Sequence, residues 1–346
     1  MRRFFFSVVF VFATFLVALP TASAITIPTV PVGNPGNAND PSDGDENTAG
    51  IQQFGAVSYA YRIGTTEVTN AQYAAFLNEK AKSDPLALYS TNMGSDPRGG
   101  IARSGSDGSY SYAPKTNMGN KPVNYVSWYD SIRFANWLNN GQGTGDTETG
   151  AYTLLGGTPT PSNGLSITRN AGASWWLPSE NEWYKSAYYQ PAAQGGDADN
   201  YWLYPTKSNS APTLAIANAV GDIFNPGTNV ANYNHGADWN FRNGNVTTVG
   251  GAGPLSESFY GTSDQGGNVS EWNEALISGS RRGLRGGAFN FLANGLQPLF
   301  RPSSNPPDEN FDIGIRVATV PEPGTAVLAV LAFGFIWALR KRLTNR

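Results

Sequence analysis

The segment Gly261–Trp272, GTSDQGGNVSEW, with Arg281–Phe289, RRGLRGGAF, a few residues behind it, decides how the rest of this chain is read. Two carboxylates, Asp264 and Glu271, stand seven positions apart, with Gly266, Gly267 and Asn268 between them. Glycine takes positive φ without a Cβ penalty, so such a turn can aim successive carbonyls to one side. Carboxylate, amide and carbonyl oxygens on a short turn are the hard ligands that Ca²⁺ takes. An ordinary surface turn with local caps fits the same residues.

Composition narrows the chemistry. The 346 residues contain no cysteine and a single histidine, His235. Disulfides, Cys-based zinc sites, Cys nucleophiles and multi-His metal centres are thereby excluded. The nearly balanced charge, −3 overall, gives no reason to expect a nucleic-acid partner.

Both ends read as export signals. Residues 1–24 open with Arg2 and Arg3, run apolar from Phe4 to Leu19 and end Ala22-Ser23-Ala24, the pattern of a secretory signal peptide. At the other end Val320-Pro321-Glu322-Pro323-Gly324 precedes the apolar run Thr325–Leu339 and the basic Arg340-Lys341-Arg342. The run is slightly short of the roughly 20 residues of a spanning helix, and its basic tail would stay on the cytoplasmic side. Residues 321–346 closely resemble the PEP-CTERM sorting signal of Gram-negative bacteria, which implies a short transmembrane helix, transient inner-membrane anchoring and an exosortase-type processing partner. A plain membrane anchor is the alternative. Without both ends the body keeps 17 basic and 25 acidic residues. Such a body would be repelled by polyanions unless a divalent cation bridges them.

Residues 25–50, rich in Pro, Gly, Asn and Asp, read as a flexible linker. The body is expected from residue 51 to 320. Val57–Val68 alternates like a strand. Three capping boxes then open helices, at Thr69–Gln72, Ser127–Asp130 and Ser179–Glu182. Tyr73, Phe76 and Leu77 form a buried face on the first; Ile132, Ala135 and Leu138 do so on the second, and Trp183 and Ala187 on the third. Residues 84–120 and 140–170 are long polar loops of the kind that carry function or are held by ions.

The motifs together resemble the formylglycine-generating enzyme (sulfatase-modifying factor) family. GGNVSEW with LRGGAF is similar to its core, and the blocks Tyr61–Asn78, Pro122–Asn139, Trp175–Tyr189 and Asn310–Ala318 follow its remaining motifs in order. The resemblance implies an α+β fold, a C-type-lectin-like variant with few short strands and helices and long, calcium-stabilised loops. It also implies a structural Ca²⁺ site at Asp264, the Gly267 and Val269 carbonyls and Glu271. A second would use Asn232, the Tyr233 carbonyl, Asn243 and Asn245, although asparagines capping turns explain that set equally well.

The catalytic part departs from the family. The two copper-binding cysteines that the resemblance implies fall at Phe291 and within Ala293–Leu296. Cu(I) requires soft thiolates, so no copper is expected. The histidine cluster of the iron-dependent branch is missing as well. Glu180 with Glu182, Asp308 with Asp312, or His235 could in principle serve acid–base chemistry, but the two glutamates are explained by the helix start. The expectation is therefore an exported, surface- or matrix-associated binding module for polysaccharide or protein. The alternative is an enzyme of the family with a cysteine-independent activity. Candidate ligand contacts are Tyr201, Trp202 and Tyr204, aromatic residues in a loop, with Arg285 and Arg301.

Overall fold

The computed structural model describes residues 24–41 and 53–321. The expected signal peptide, through residue 23, and the expected sorting signal, from residue 322, lie outside the described residues. Among the described residues no helix is long and apolar enough to cross a membrane.

The chain runs β1 (Thr29–Val32), β2 (Tyr61–Gly64), α1 (Asn70–Lys80), a single-turn α2 (Thr91–Ser95), the hairpin β3–β4 (Ile101–Ser104, Ser111–Pro114) and α3 (Trp128–Asn139). Then come β5 (Trp175–Trp176), α4 (Glu180–Tyr188), β6 (Thr213–Leu214) and β7 (Val230–Ala231). The last part holds β8 (Ser270–Ile277), β9 (Arg281–Arg285), β10 (Ser303–Ser304), β11 (Ile313–Gly314) and β12 (Ala318–Thr319). Two four-stranded sheets organise these pieces, in the orders β1-β2-β12-β5 and β10-β9-β8-β11.

All three expected capping boxes form. Thr69, Ser127 and Ser179 each accept the N–H three residues on, and Gln72, Asp130 and Glu182 reach back to the cap N–H. Each satisfies two otherwise orphaned donors, which together with the apolar face fixes where the helix begins. α1 turns Tyr73, Phe76 and Leu77 inward against α3, where the Phe76 ring lies 5.5 Å from Phe134 and 5.3 Å from Trp137. Each such aromatic contributes roughly 1.5–3 kcal/mol by burial.

Two expectations change. In the expected linker of residues 25–50, the described part, 25–41, is not simply a linker: β1 pairs antiparallel with β2, Thr29 opposite Gly64 and Val32 opposite Tyr61. Val32 is fully buried, and Ile25, Ile27 and Val30 pack on the core, so this polar-looking segment carries enough apolar residues to dock. Pro31 is tolerated because β1 is an edge strand, where a missing N–H costs no ladder bond. The strand expected over Val57–Val68 shortens to β2 alone.

α3 is buried on every side from Trp128 to Leu138, not on one face. The loop after it closes over the polar flank. Asn136 donates to the Thr147 and Tyr152 carbonyls at 2.8 and 3.0 Å. Arg133 binds Glu148 at 2.7 Å and also the Thr158 and Pro159 carbonyls. Here side-chain hydrogen bonds and an ion pair hold the long loop.

Candidate functional site

The motif turn is built on positive φ: Asp264 at 63°, Gly267 at 94° and Asn268 at 61°. A Cβ on Gly267 would stand 2.2 Å from the Asn232 carbonyl, so only glycine lets this turn close on the neighbouring loop. Asn268 then donates its N–H to that carbonyl at 2.8 Å. Its side chain accepts from the Thr247 N–H (2.9 Å) and donates to Glu67 (3.1 Å), tying three distant segments together.

Glu271 enters β8 fully buried. Arg316 grips it with Nε at 3.1 and 2.9 Å and Nη2 at 2.7 Å, while Trp183 Nε1 donates to Oε2 at 2.6 Å. The same guanidinium reaches the Gly64 and Ser263 carbonyls at 2.8 Å each, and Glu67 lies 4.0 Å away. Asp264 accepts the Gly250 N–H. Loss of hydration pushes the Asp264 carboxyl up to about 6, against the pull of Gly250 N–H and Arg316. Burial and then the negative charge of Asp264 hold Glu67 well above the usual carboxylate range. Glu67 Oε2 has no hydrogen-bond partner among the described residues. Glu67 and Arg316 had no role assigned from sequence, though both lie inside motif blocks quoted above.

Of the first expected calcium set, the Asp264 and Glu271 side chains are both hydrogen-bonded within the protein. Both Glu271 oxygens already face N–H donors, and a cationic side chain occupies the space beside them. Among the described residues no three His, Cys, Asp or Glu side chains are grouped to hold a metal. The second set fares similarly. The Tyr233 carbonyl accepts from Gly236, the Asn243 carbonyl from Arg98 Nη2 (3.0 Å), and the Asn245 carbonyl from Asn232 (2.9 Å). Asn232 Oδ1 and Asn245 Nδ2 are left without a hydrogen-bond partner among the described residues. Gly267 and Val269 belong to the turn and strand entry and bring no further side chain.

The proposed acid–base pairs separate. Glu182 is taken by Arg169 at 2.7 Å, and Arg169 also holds Glu274 at 2.6 Å. Glu180 receives both Arg285 (2.8 Å) and Arg301 (2.6 Å), whose guanidinium carbons each stand 4.9 Å from the Phe54 ring centroid. Arg285 is fully buried, so it positions α4 against β9 and cannot serve as a ligand contact. Asp308 caps Ser304 and Asn305, whereas Asp312 accepts from Asn290 at 3.1 Å. His235 Nδ1 lies 3.1 Å from the Asn243 carbonyl, which only accepts, so Nδ1 carries the hydrogen.

The position of the missing thiols is apolar. Phe291 packs on Phe300 at 5.2 Å, and Ala293–Leu296 forms a single 3₁₀ turn. Beside that turn opens a cavity of about 390 Å³ lined by Asp40, Asp197, Asp199, Tyr201, Trp202, Leu203, Asn209, Gln297, Pro298 and Leu299. Of the three aromatic candidates, Tyr201 and Tyr204 are buried at 3% exposure each. Tyr201 donates to the Ala38 carbonyl, and Tyr204 accepts from Gln297 at 2.8 Å. Trp202 is the partly exposed one, its Nε1 fixed on Gln190 at 2.9 Å. The acidic and amide side chains of this cavity escaped the sequence reading because they come from segments more than 80 residues apart.

Residues 22–320 match the family described as "Sulfatase-modifying factor enzyme 1-like domain". Hercynine oxygenase of Mycolicibacterium thermoresistibile is 25% identical over 283 residues, 75% of this chain and 50% of that protein. The chain thus spans half the length of this curated relative. Among solved structures, Treponema denticola variable protein 1 superposes with a TM-score of 0.50 at 20% identity, covering 87% of this chain and 98% of that one. CarF does so at 0.50 and 22% identity, covering 86% and 99%. These two likenesses concern the fold alone, and short strands with few helices and long loops are consistent with the C-type-lectin-like arrangement. The motif blocks lie in order on one fold and the matched region takes in nearly the whole chain: it belongs to the sulfatase-modifying factor enzyme 1-like family.

Proposed function

We propose that this chain is an exported, non-catalytic member of its family that binds a polysaccharide, with the cavity at Trp202 as its site. The cavity carries the reading. Trp202 offers a flat apolar face of fixed orientation, suited to stacking on the C–H face of a sugar ring. Around it stand Asp197, Asn209 and Gln297, groups that accept from and donate to hydroxyls. Asp197 receives one N–H from Asn209 at 2.8 Å, and a carboxylate has acceptor capacity beyond that. Carboxylates at the rim favour a neutral or amino sugar over a polyanion. The lack of cysteine throughout the chain, with Phe291 at the first expected thiol position, supports a binding role over copper oxidation.

In this reading the N-terminal leader exports the domain. An exosortase-type enzyme processes the C-terminal signal at the inner membrane, and the domain remains at the cell surface or in the matrix. The only membrane contact is through the C-terminal segment, and no nucleic acid is involved.

The test is a pull-down of the purified chain with the producing organism's exopolysaccharide, beside Trp202→Ala. Saturable retention that is lost in Trp202→Ala with unchanged melting supports the site. Equal retention by both proteins would refute the assignment to this cavity. Conversion of a sulfatase-type cysteine peptide to formylglycine would overturn the non-catalytic reading.

A further inference from the structure

We infer that removal of the leader creates a binding group: the α-amino group of Ile25, freed by a cut after Ala24, is held by Gln142 beside a cavity that carries the Glu79 carboxylate. The inference rests on the export reading above, in which Ala22-Ser23-Ala24 is the cleavage motif. The structure grips the chain from the next residue onward. Ile25 donates its N–H to Gln142 Oε1 at 2.7 Å, and its carbonyl accepts from Gln142 Nε2 at 2.9 Å. The Thr26 carbonyl accepts from Gln72 Nε2 at 2.9 Å and the Pro28 carbonyl from the Thr65 N–H at 2.9 Å. Ile25 and Ile27 pack on the core, whereas Ala24 is exposed.

The receptor for Ile25 is a fixed turn. Gln142 has a φ of 66°, between Gly141 at 81° and Gly143 at 56°, a left-handed conformation uncommon for a residue with a Cβ. Trp137 pins it from both sides: its carbonyl accepts the Gln142 N–H at 2.8 Å, and its Nε1 donates to the Gly143 carbonyl at 3.1 Å. Ala24, Asn78, Glu79, Trp137 and Gln142 line a cavity of about 340 Å³ at this point. Hydrolysis of the Ala24–Ile25 peptide bond consumes one water, leaves a carboxylate on the departing leader and an amine on Ile25. With an ordinary pKa of about 7.7–8.0, that amine takes up a proton and is mostly ammonium at pH 7. One of its three hydrogens keeps the bond to Gln142, and the others gain the space that Ala24 fills. Glu79 stands in the last turn of α1, where the helix carbonyls also favour a cation. Lys80, the adjacent cation, is drawn away to the Thr144 and Gly145 carbonyls at 3.3 and 2.8 Å.

The full chain, exported through its own leader in a Gram-negative host, is first sequenced from its N-terminus. Ile25 is the expected first residue, and any other overturns the inference; a retained leader overturns the export reading with it. Chains that start at Ile25 or at Thr21 and keep the native C-terminus are then released from a cleavable tag and melted in detergent. In the chain starting at Ile25, Glu79→Gln should lower the melting temperature by about 1–2 °C. In the chain starting at Thr21 it should change nothing, because a neutral peptide N–H replaces the amine. Equal shifts in the two chains, or none in either, would overturn the inference. Gln142→Ala should lower melting of the Ile25 chain by about 2–4 °C, and unchanged melting would show that the turn does not hold the new terminus.

Discussion

Replacing Arg316 by alanine removes the one positive charge around which Glu271, Glu67 and Asp264 are arranged. Glu271 loses both carboxylate contacts, and the Gly64 and Ser263 carbonyls lose their donor. Among the described residues Trp183 Nε1 is then the only side-chain donor left to Glu271. Breaking a buried ion pair by deleting one partner costs about 3–5 kcal/mol, because the remaining charge stays desolvated. For a domain of this size about 2 °C of melting temperature corresponds to 1 kcal/mol, so the loss is about 6–10 °C at pH 7. The pH dependence gives a sharper signature. Asp264 has its folded-state pKa raised to about 6 from 3.8, so between those values the folded state binds more protons than the unfolded one. Stability from this group therefore falls as pH rises through that window. Without Arg316 the penalty for charging Asp264 and Glu67 grows, and the variant should recover part of its deficit at pH 5. Thermal unfolding followed by near-ultraviolet circular dichroism at pH 5 and pH 7, with Arg281→Ala as an exposed control, tests this. A melting temperature no lower than the control's, or a deficit larger at pH 5 than at pH 7, would refute the reasoning.

Asp264→Asn keeps an acceptor for the Gly250 N–H and removes a carboxyl that burial disfavours as an anion; its melting temperature at pH 7 should equal or exceed that of the parent, and its pH profile between 4 and 6 should be flatter. Asn268→Ala strips partners from Glu67, Thr247 and Asn232 together, and chemical denaturation should show a loss of about 2–4 kcal/mol, at the upper end for one residue. Gly267→Ala meets the Asn232 carbonyl and requires positive φ, so expression in soluble form should drop sharply while Gly33→Ala, which meets nothing and needs no positive φ, changes folding far less. Trp202→Ala should abolish polysaccharide retention without altering melting, measured on the same preparation.

Local signals carried much of the fold. Ser127 and Asp130, or Ser179 and Glu182, announce a helix start because both partners of each hydrogen bond lie within four residues. Helix α3 shows where that legibility ends. Its Arg133 and Asn136 look like a solvated flank, and only the return of residues 147–159 reveals them as the anchors of a loop. The motif turn was recognisable, yet its chemistry was not. Asp264 and Glu271 are visible in the sequence, but only the β11–β8 pairing brings Arg316, 45 positions beyond Glu271, onto the Glu271 carboxylate. Likewise Tyr201 and Trp202 are adjacent aromatics in one loop, and nothing local says that the first turns into the core while the second keeps a face toward the cavity.

Strand β2 lies between β1 and β12 and runs antiparallel to both, so the first and last strands of the domain point the same way. A load applied between the two ends draws on opposite tips of these strands. It slides them past β2, loading the backbone hydrogen bonds on both flanks at once instead of opening them one at a time. The geometry is shear and not unzipping, and it gives the domain the stiffer response to a pull between its two ends.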